Sequence, residues 1–248
     1  MTLPFDMGPG AAAFMAAAFL LAAFVRGYSG FGFSALVVSS AALVTNPLYF
    51  VAVVMFCEFG MTFQQWGQVG RDVDWRRVIA LMIGAAVGVP VGLWALTGVG
   101  IDVARAIIAV YVLVMCGVML LGWRMKSEAG MGAHVVAGVI SGLANAPGMG
   151  GLPVATFFTA QRVSAAVFRA TLIAYFAALD LFSAPLMWWY GMVSWDTLYA
   201  AALSVPIIVL GIWAGGRHFL RTDPQDFRKF AIGLLAILAM LGLLKSVI

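Results

Sequence analysis

Residues 78–98 and 103–123 are apolar almost throughout. At about 1.5 Å per residue, each is long enough to cross the ~30 Å hydrocarbon core of a bilayer. Comparable runs fall at 48–67, 167–190, 197–216 and 227–246. A soluble globule cannot be made from such segments. Of the 248 residues 64% are hydrophobic and only 10% charged, whereas a soluble domain carries about 25% charged residues to face water. Only helices and closed barrels satisfy their own backbone in lipid, and runs of this length select helices. The expected class is an all-α polytopic membrane protein whose main partner is the lipid bilayer. Cys57 and Cys116 both lie inside apolar runs, which predicts buried thiols and no disulfide framework. The stretch Met1–Gly10 has Asp6 but no Lys or Arg. It lacks the basic start of a signal peptide, so the first apolar run is expected to remain in the mature protein.

Two apolar runs are interrupted midway. The first break is Arg26-Gly27-Tyr28-Ser29-Gly30-Phe31-Gly32-Phe33, between runs at 11–25 and 31–45. The second is Asn145-Ala146-Pro147-Gly148-Met149-Gly150-Gly151, between runs at 133–144 and 152–161. Glycine and proline there free backbone N–H and C=O groups, which at membrane depth must be buried in protein or line a polar cavity. Runs of 14 or 15 residues reach roughly 22 Å, short of the hydrocarbon core. They predict half-helices forming a hairpin, with two short full crossings, which give the same parity, as the alternative.

Charge distribution arbitrates the topology. If each broken region enters and returns, 11 of the 14 Lys and Arg share one face, leaving Arg26, Arg105 and Lys245. Asp6, Asp102 and Asp196 then lie opposite. By the positive-inside rule the basic face is cytoplasmic, which puts both termini outside. Residues 1–126 then form a first repeat (hairpin 11–45, spans 48–67, 78–98 and 103–123). Residues 127–248 form a second (hairpin 133–161, spans 167–190, 197–216 and 227–246), inverted relative to the first. Ser29-Gly30-Phe31-Gly32 corresponds to Pro147-Gly148-Met149-Gly150, and Gly92-Leu93-Trp94 to Gly211-Ile212-Trp213. Glu58 and Trp66 match Asp180 and Trp188. The glycines of Gly84, Gly88, Gly92, Gly211 and Gly215 are expected to permit close helix contact. Trp188, Trp189 and Trp195 are expected at an interfacial belt.

Inverted hairpins bring their tips together near the midplane. Each second half-helix starts just after its glycines and offers unpaired N–H groups with a partial positive charge, which suits a small anionic substrate. The candidate substrate-binding residues are therefore Arg26, Ser29, Gly30, Phe31, Gly32, Asn145, Gly148, Met149, Gly150 and Gly151. Arg26 supplies a fork for planar oxyanions, and Asn145 an amide donor. Glu58 and Asp180 stand inside spans, where a charge is expensive and marks function. They are the candidates for coupling transport to protons. The competing role for both is structural, pairing with Arg26 or with hydroxyls, and for Arg26 it is an ion pair with Glu58. No zinc or P-loop spacing occurs, so neither a metal nor another cofactor is expected, and no basic–aromatic cluster points to nucleic acid.

On these residues the chain resembles the sulfite exporter TauE/SafE family. The paired motifs Gly27–Gly32 and Pro147–Gly151, the half-repeat organisation and the short loops carry the resemblance over essentially the whole length. It implies a transporter of the bacterial cytoplasmic (inner) membrane for sulfur-containing anions such as sulfite, sulfoacetate or other organosulfonates. A passive anion channel of the same architecture is the alternative. Gly27-Tyr28-Ser29-Gly30 also fits the Gly-x-Ser-Gly pattern of intramembrane serine hydrolases. A hydrolase needs a histidine beside the serine, and His134 and His218 both lie near segment ends. Oligomeric state is open, a homo-oligomer included.

Overall fold

The computed structural model describes residues 3–29, 32–65, 72–121, 125, 128–161, 163–219, 233, 236–237 and 240. Among these there is no strand, and nine α-helices follow a short 3-10 turn at Pro4–Asp6. They are α1 (Pro9–Ser29), α2 (Phe33–Val44), α3 (Pro47–Gln65), α4 (Trp75–Thr97), α5 (Ile101–Leu121), α6 (Met131–Asn145), α7 (Gly151–Thr159), α8 (Ala165–Trp189) and α9 (Trp195–Phe219). Among the described residues, five stretches are long and apolar enough to cross a membrane: Pro9–Gly27, Trp75–Thr97, Ile101–Leu121, Ala170–Trp189 and Trp195–Gly215. The chain is an all-α polytopic membrane protein. The run expected at 227–246 lies almost wholly outside the described residues.

Polar side chains set the helix starts. Asn46 Oδ1 accepts from Leu48 N–H at 3.0 Å where α3 begins, and Asp74 Oδ1 from Arg77 N–H at 3.2 Å at α4. Ser194 Oγ accepts from Thr197 N–H at 3.2 Å at α9. Each satisfies an N–H that would otherwise lack a partner in the first turn.

One arm departs from expectation. The first half-length run was expected to stop at residue 25, before the charge of Arg26, but α1 continues through Arg26 to Ser29 and reaches 21 residues. It is long enough to span, while α2, α6 and α7 have 12, 15 and 9 residues. The helix tolerates Arg26 because a carboxylate meets its charge, as described below.

Small residues set the closest packing. The would-be Cβ of Gly92 on α4 falls 2.7 Å from Leu143 O on α6, and that of Gly142 on α6 falls 2.8 Å from Val89 N on α4. Side chains at Gly84 and Gly138 would run into Val135 O and Leu81 O. The pair α1 and α9 meets the same way: a Cβ at Gly27 would lie 2.8 Å from Ile212 Cα, and one at Gly211 2.6 Å from Ala23 Cβ. Small residues let two backbones approach and gain dispersion contact where lipid offers no hydrophobic drive. On its other side α4 exposes Ile79, Ile83, Val87 and Val91 at helical spacing. A helix apolar all round belongs in lipid. Trp188, Trp189 and Trp195 are exposed around the α8–α9 turn.

The remaining contacts have a pattern. Helix α3 packs on α8, α1 on α2, α6 on α7, α2 on α3, α7 on α8, α3 on α9 and α4 on α8. Exchanging α1, α2, α3 and α4 for α6, α7, α8 and α9 leaves the pairing of α3 with α8 as it is and converts each of the others, and the two glycine seams, into another of them.

Candidate functional site

Both interruptions turn on a glycine with positive φ. Gly32, at φ 91°, caps the start of α2. Gly148, at φ 76°, sits in the turn between α6 and α7. An L side chain is disfavoured at either value, and glycine is not. Gly30 and Phe31 lie outside the described residues, as does the side chain of Ser29. Gly27, which the motif places at the first tip, is a packing glycine against Ile212 of α9.

The pairing raised from the sequence as the competing role is the arrangement found. Arg26, 5% exposed, places Nη1 3.0 Å from Glu58 Oε1. Glu58 also accepts from the hydroxyl and the backbone N–H of Ser34. Ser34 is the second residue of α2, so this N–H is one that the helix itself leaves unpaired. The helix start expected to attract an anion therefore holds an internal carboxylate, with a guanidinium on its other side. Asp180 on α8 is buried within electrostatic reach of both Glu58 and Arg26. Its Oδ2 has no hydrogen-bond donor among the described residues, and Arg26 Nε no acceptor.

The second break is tied down by hydrogen bonds. Tyr175 OH on α8 donates to Ser141 Oγ at 2.8 Å, and Ser141 Oγ donates to Gly150 O at 2.6 Å. Asn145 Nδ2 donates to Ser183 Oγ at 2.8 Å, and Ser183 in turn to Leu179 O at 2.7 Å. Met149 is fully buried; its N–H donates to Ala144 O at 2.8 Å, and its carbonyl accepts from Tyr111 OH at 3.4 Å. Gly151 faces the ring of Phe176. Tyr175, Leu179 and Ser183 share one face of α8 at i, i+4 spacing. Ser141→Ala should leave Gly150 O and Tyr175 OH without their partner. The expected destabilisation is about 1–3 kcal/mol, read from thermal melting in detergent, and Tyr175→Phe should cost less.

The two breaks converge. A Cβ built on Gly148 would lie 3.3 Å from Val38 Cγ2 on α2 and 3.4 Å from Val54 Cγ2 on α3. Val38 follows Ser34 by one turn and Val54 precedes Glu58 by one turn, so Gly148 sits roughly 6 Å along these helices from the charged cluster. Arg26, Glu58, Gly32, Gly148 and Asp180 thus gather in one region, with Asn145 directed to α8. Ser34, Ser141, Tyr175 and Ser183 were not singled out from the sequence. Hydroxyls inside apolar helices were the available signal. His134 is buried, its Nδ1 3.0 Å from Gly130 O and its ring edge-on to Phe157. Cys57 and Cys116 are buried and form no disulfide.

The family profile described as "Sulfite exporter TauE/SafE" matches residues 15–241, which takes in both breaks. A protein of Cupriavidus necator named "Probable sulfite/organosulfonate exporter TauE" is 26% identical over 174 residues. That match covers 66% of this chain and 66% of the relative, just under two thirds of the relative's length. No solved structure matches the chain. The family is one of transporters rather than enzymes. With most of its length matched, the chain belongs to the sulfite exporter TauE/SafE family.

Proposed function

We propose that this chain is a secondary carrier that exports a small sulfur-containing oxyanion, sulfite or an organosulfonate such as sulfoacetate, across a bacterial-type cytoplasmic membrane, coupled to protons. Both termini lie outside in this reading. The two halves are inverted repeats that work by alternating access around their breaks, and the interchangeable helix contacts support that relation.

One observation carries the mechanism: Glu58 already occupies, as a carboxylate, the place where α2 starts opposite Arg26. A pocket that stabilises one buried carboxylate oxygen pair stabilises a sulfite or sulfonate by the same means, through charge-assisted N–H and O–H donors. Substrate and Glu58 compete for it. As the oxyanion enters, Glu58 leaves Arg26 and takes up a proton, since an unpaired carboxylate in this setting is expensive. Asp180, beside the pair and short of one donor, passes that proton on. The glycines of both breaks, Gly30–Gly32 and Gly148–Gly151, supply backbone N–H groups to the remaining oxygens, and Asn145 fixes the second tip through Ser183.

Purified protein in proteoliposomes tests this. Because the oxyanion and the proton on Glu58 cross together, sulfite or sulfoacetate efflux should accelerate when an outward proton gradient is imposed, and efflux indifferent to the gradient removes the coupling. Asp180→Asn should keep the affinity for the anion, read as ligand-induced thermal stabilisation, while its efflux no longer responds to the gradient. An Asp180→Asn protein that responds like the parent takes Asp180 out of the proton route.

A further inference from the structure

Residues 3–8 precede α1 at the end of the bundle where α2, α4 and α8 stop. Within them, two adjacent non-glycine residues adopt the left-handed region, Phe5 at φ 57° and Asp6 at φ 50°. For a bulky aromatic residue this is an outlier, and it persists only where surrounding contacts over-determine it. Those contacts come from both halves of the chain. The Phe5 ring stacks on Tyr49 of α3, with centroids 4.8 Å apart and planes 9° from parallel, and meets Phe50 at 5.6 Å. Its backbone N–H donates to Asp196 Oδ2 at 3.2 Å, in the first turn of α9. Phe5 and Asp6 also wall a cavity of about 430 Å³ shared with Asn46, Leu48, Thr97 and Thr197, which sit at the ends of α3, α4 and α9.

We propose that residues 3–8 form a gate at this mouth. Phe5 clasps the start of α3 to the start of α9 in the closed state, and the clasp must open before solute leaves by this route. This rests on the alternating-access reading above, in which the two halves separate at one face at a time. The left-handed backbone at Phe5 and Asp6 gives the gate two states. Closed, it is held by stacking and one hydrogen bond against local strain; open, it loses those contacts and relaxes. The cavity behind it carries amide and hydroxyl groups able to hydrogen-bond an oxyanion in transit, while Asp6 and Asp196 disfavour its residence there.

Two measurements test the gate, and the first needs no transported solute. In a Leu48→Cys protein, reaction of the new thiol with a membrane-impermeant maleimide should be slow. Adding Phe5→Ala should speed it at least tenfold, with Asp196→Ala acting in the same direction as a second variant should the first not accumulate. Rates unchanged by either variant overturn the proposal. In the second, a Phe5→Cys/Tyr49→Cys pair is bridged by a short bis-methanethiosulfonate. Bridging should cut sulfite efflux from proteoliposomes at least tenfold, and reduction should restore it. A bridged protein that transports at the unbridged rate, or a pair that cannot be bridged at all, overturns it equally. Faster labelling in a protein whose parent moves no oxyanion supports the gate and removes the substrate assignment instead.

Discussion

Arg26→Ala is expected to abolish oxyanion binding and to destabilise the protein by about 3–5 kcal/mol. The two effects have separate causes, and that makes the variant informative. Truncation leaves Glu58, whose side chain is 16% exposed, with only Ser34 as donor, a carboxylate without its counter-charge inside the helix bundle. It also strips the pocket of its permanent charge and its planar fork, so a substrate oxyanion loses its strongest partner. Arg26→Gln combined with Glu58→Gln separates the two. Removing both charges should recover most of the stability, because a neutral pair avoids the desolvation that the single variant leaves unmet. It should not recover binding. Thermal unfolding in detergent, with and without sulfite, reads both quantities. If the double variant is as unstable as Arg26→Ala, the ion pair is not what the single variant damages.

Gly138→Val on α6 is expected to prevent accumulation of folded protein, and Gly84→Val on α4 to do nearly as much. Overpacking a core costs about 1–3 kcal/mol when side chains can shift aside. Here the added Cβ meets backbone, Leu81 O in one case and Val135 O in the other, so the helices themselves must separate. Separation breaks the whole seam of Gly84, Gly88, Gly92, Gly138 and Gly142 at once. The same class of change placed elsewhere should have the opposite sign. Gly117 on α5 has nothing within 4 Å of a would-be Cβ, so Gly117→Ala should stabilise by about 0.5–1 kcal/mol through helix propensity alone. Melting temperatures of the three variants against the parent check this, and a neutral Gly138→Val contradicts the seam.

The positions of the helices were legible because lipid imposes their length and their self-sufficiency. Runs read at 78–98 and 103–123 correspond to α4 at Trp75–Thr97 and α5 at Ile101–Leu121. The breaks were legible for a related reason: Gly32 and Gly148 stand inside apolar runs, where a glycine with positive φ has few other uses. The extent of α1 was not legible. The glycine at residue 27 reads as the start of a break, whereas it lies within α1 and packs against Ile212 of α9. The same holds for the glycines of α4. Their spacing announced a close neighbour, but that the neighbour is α6, with Gly138 and Gly142 facing back, depends on tertiary arrangement. The hydroxyls around the second break were hidden for another reason. Ser141, Tyr175 and Ser183 are ordinary residues whose importance arises from meeting one another.

Binding of sulfite to Glu58→Gln bears most directly on the idea that a resident carboxylate and the transported oxyanion share one place. Removing the internal competitor should tighten sulfite binding about tenfold or more by calorimetric titration. The ligand should also raise the melting temperature further than in the parent, because Arg26 regains a counter-charge. Binding that is unchanged or weaker in a folded Glu58→Gln protein would mean that the substrate does not take the place of Glu58 beside Arg26.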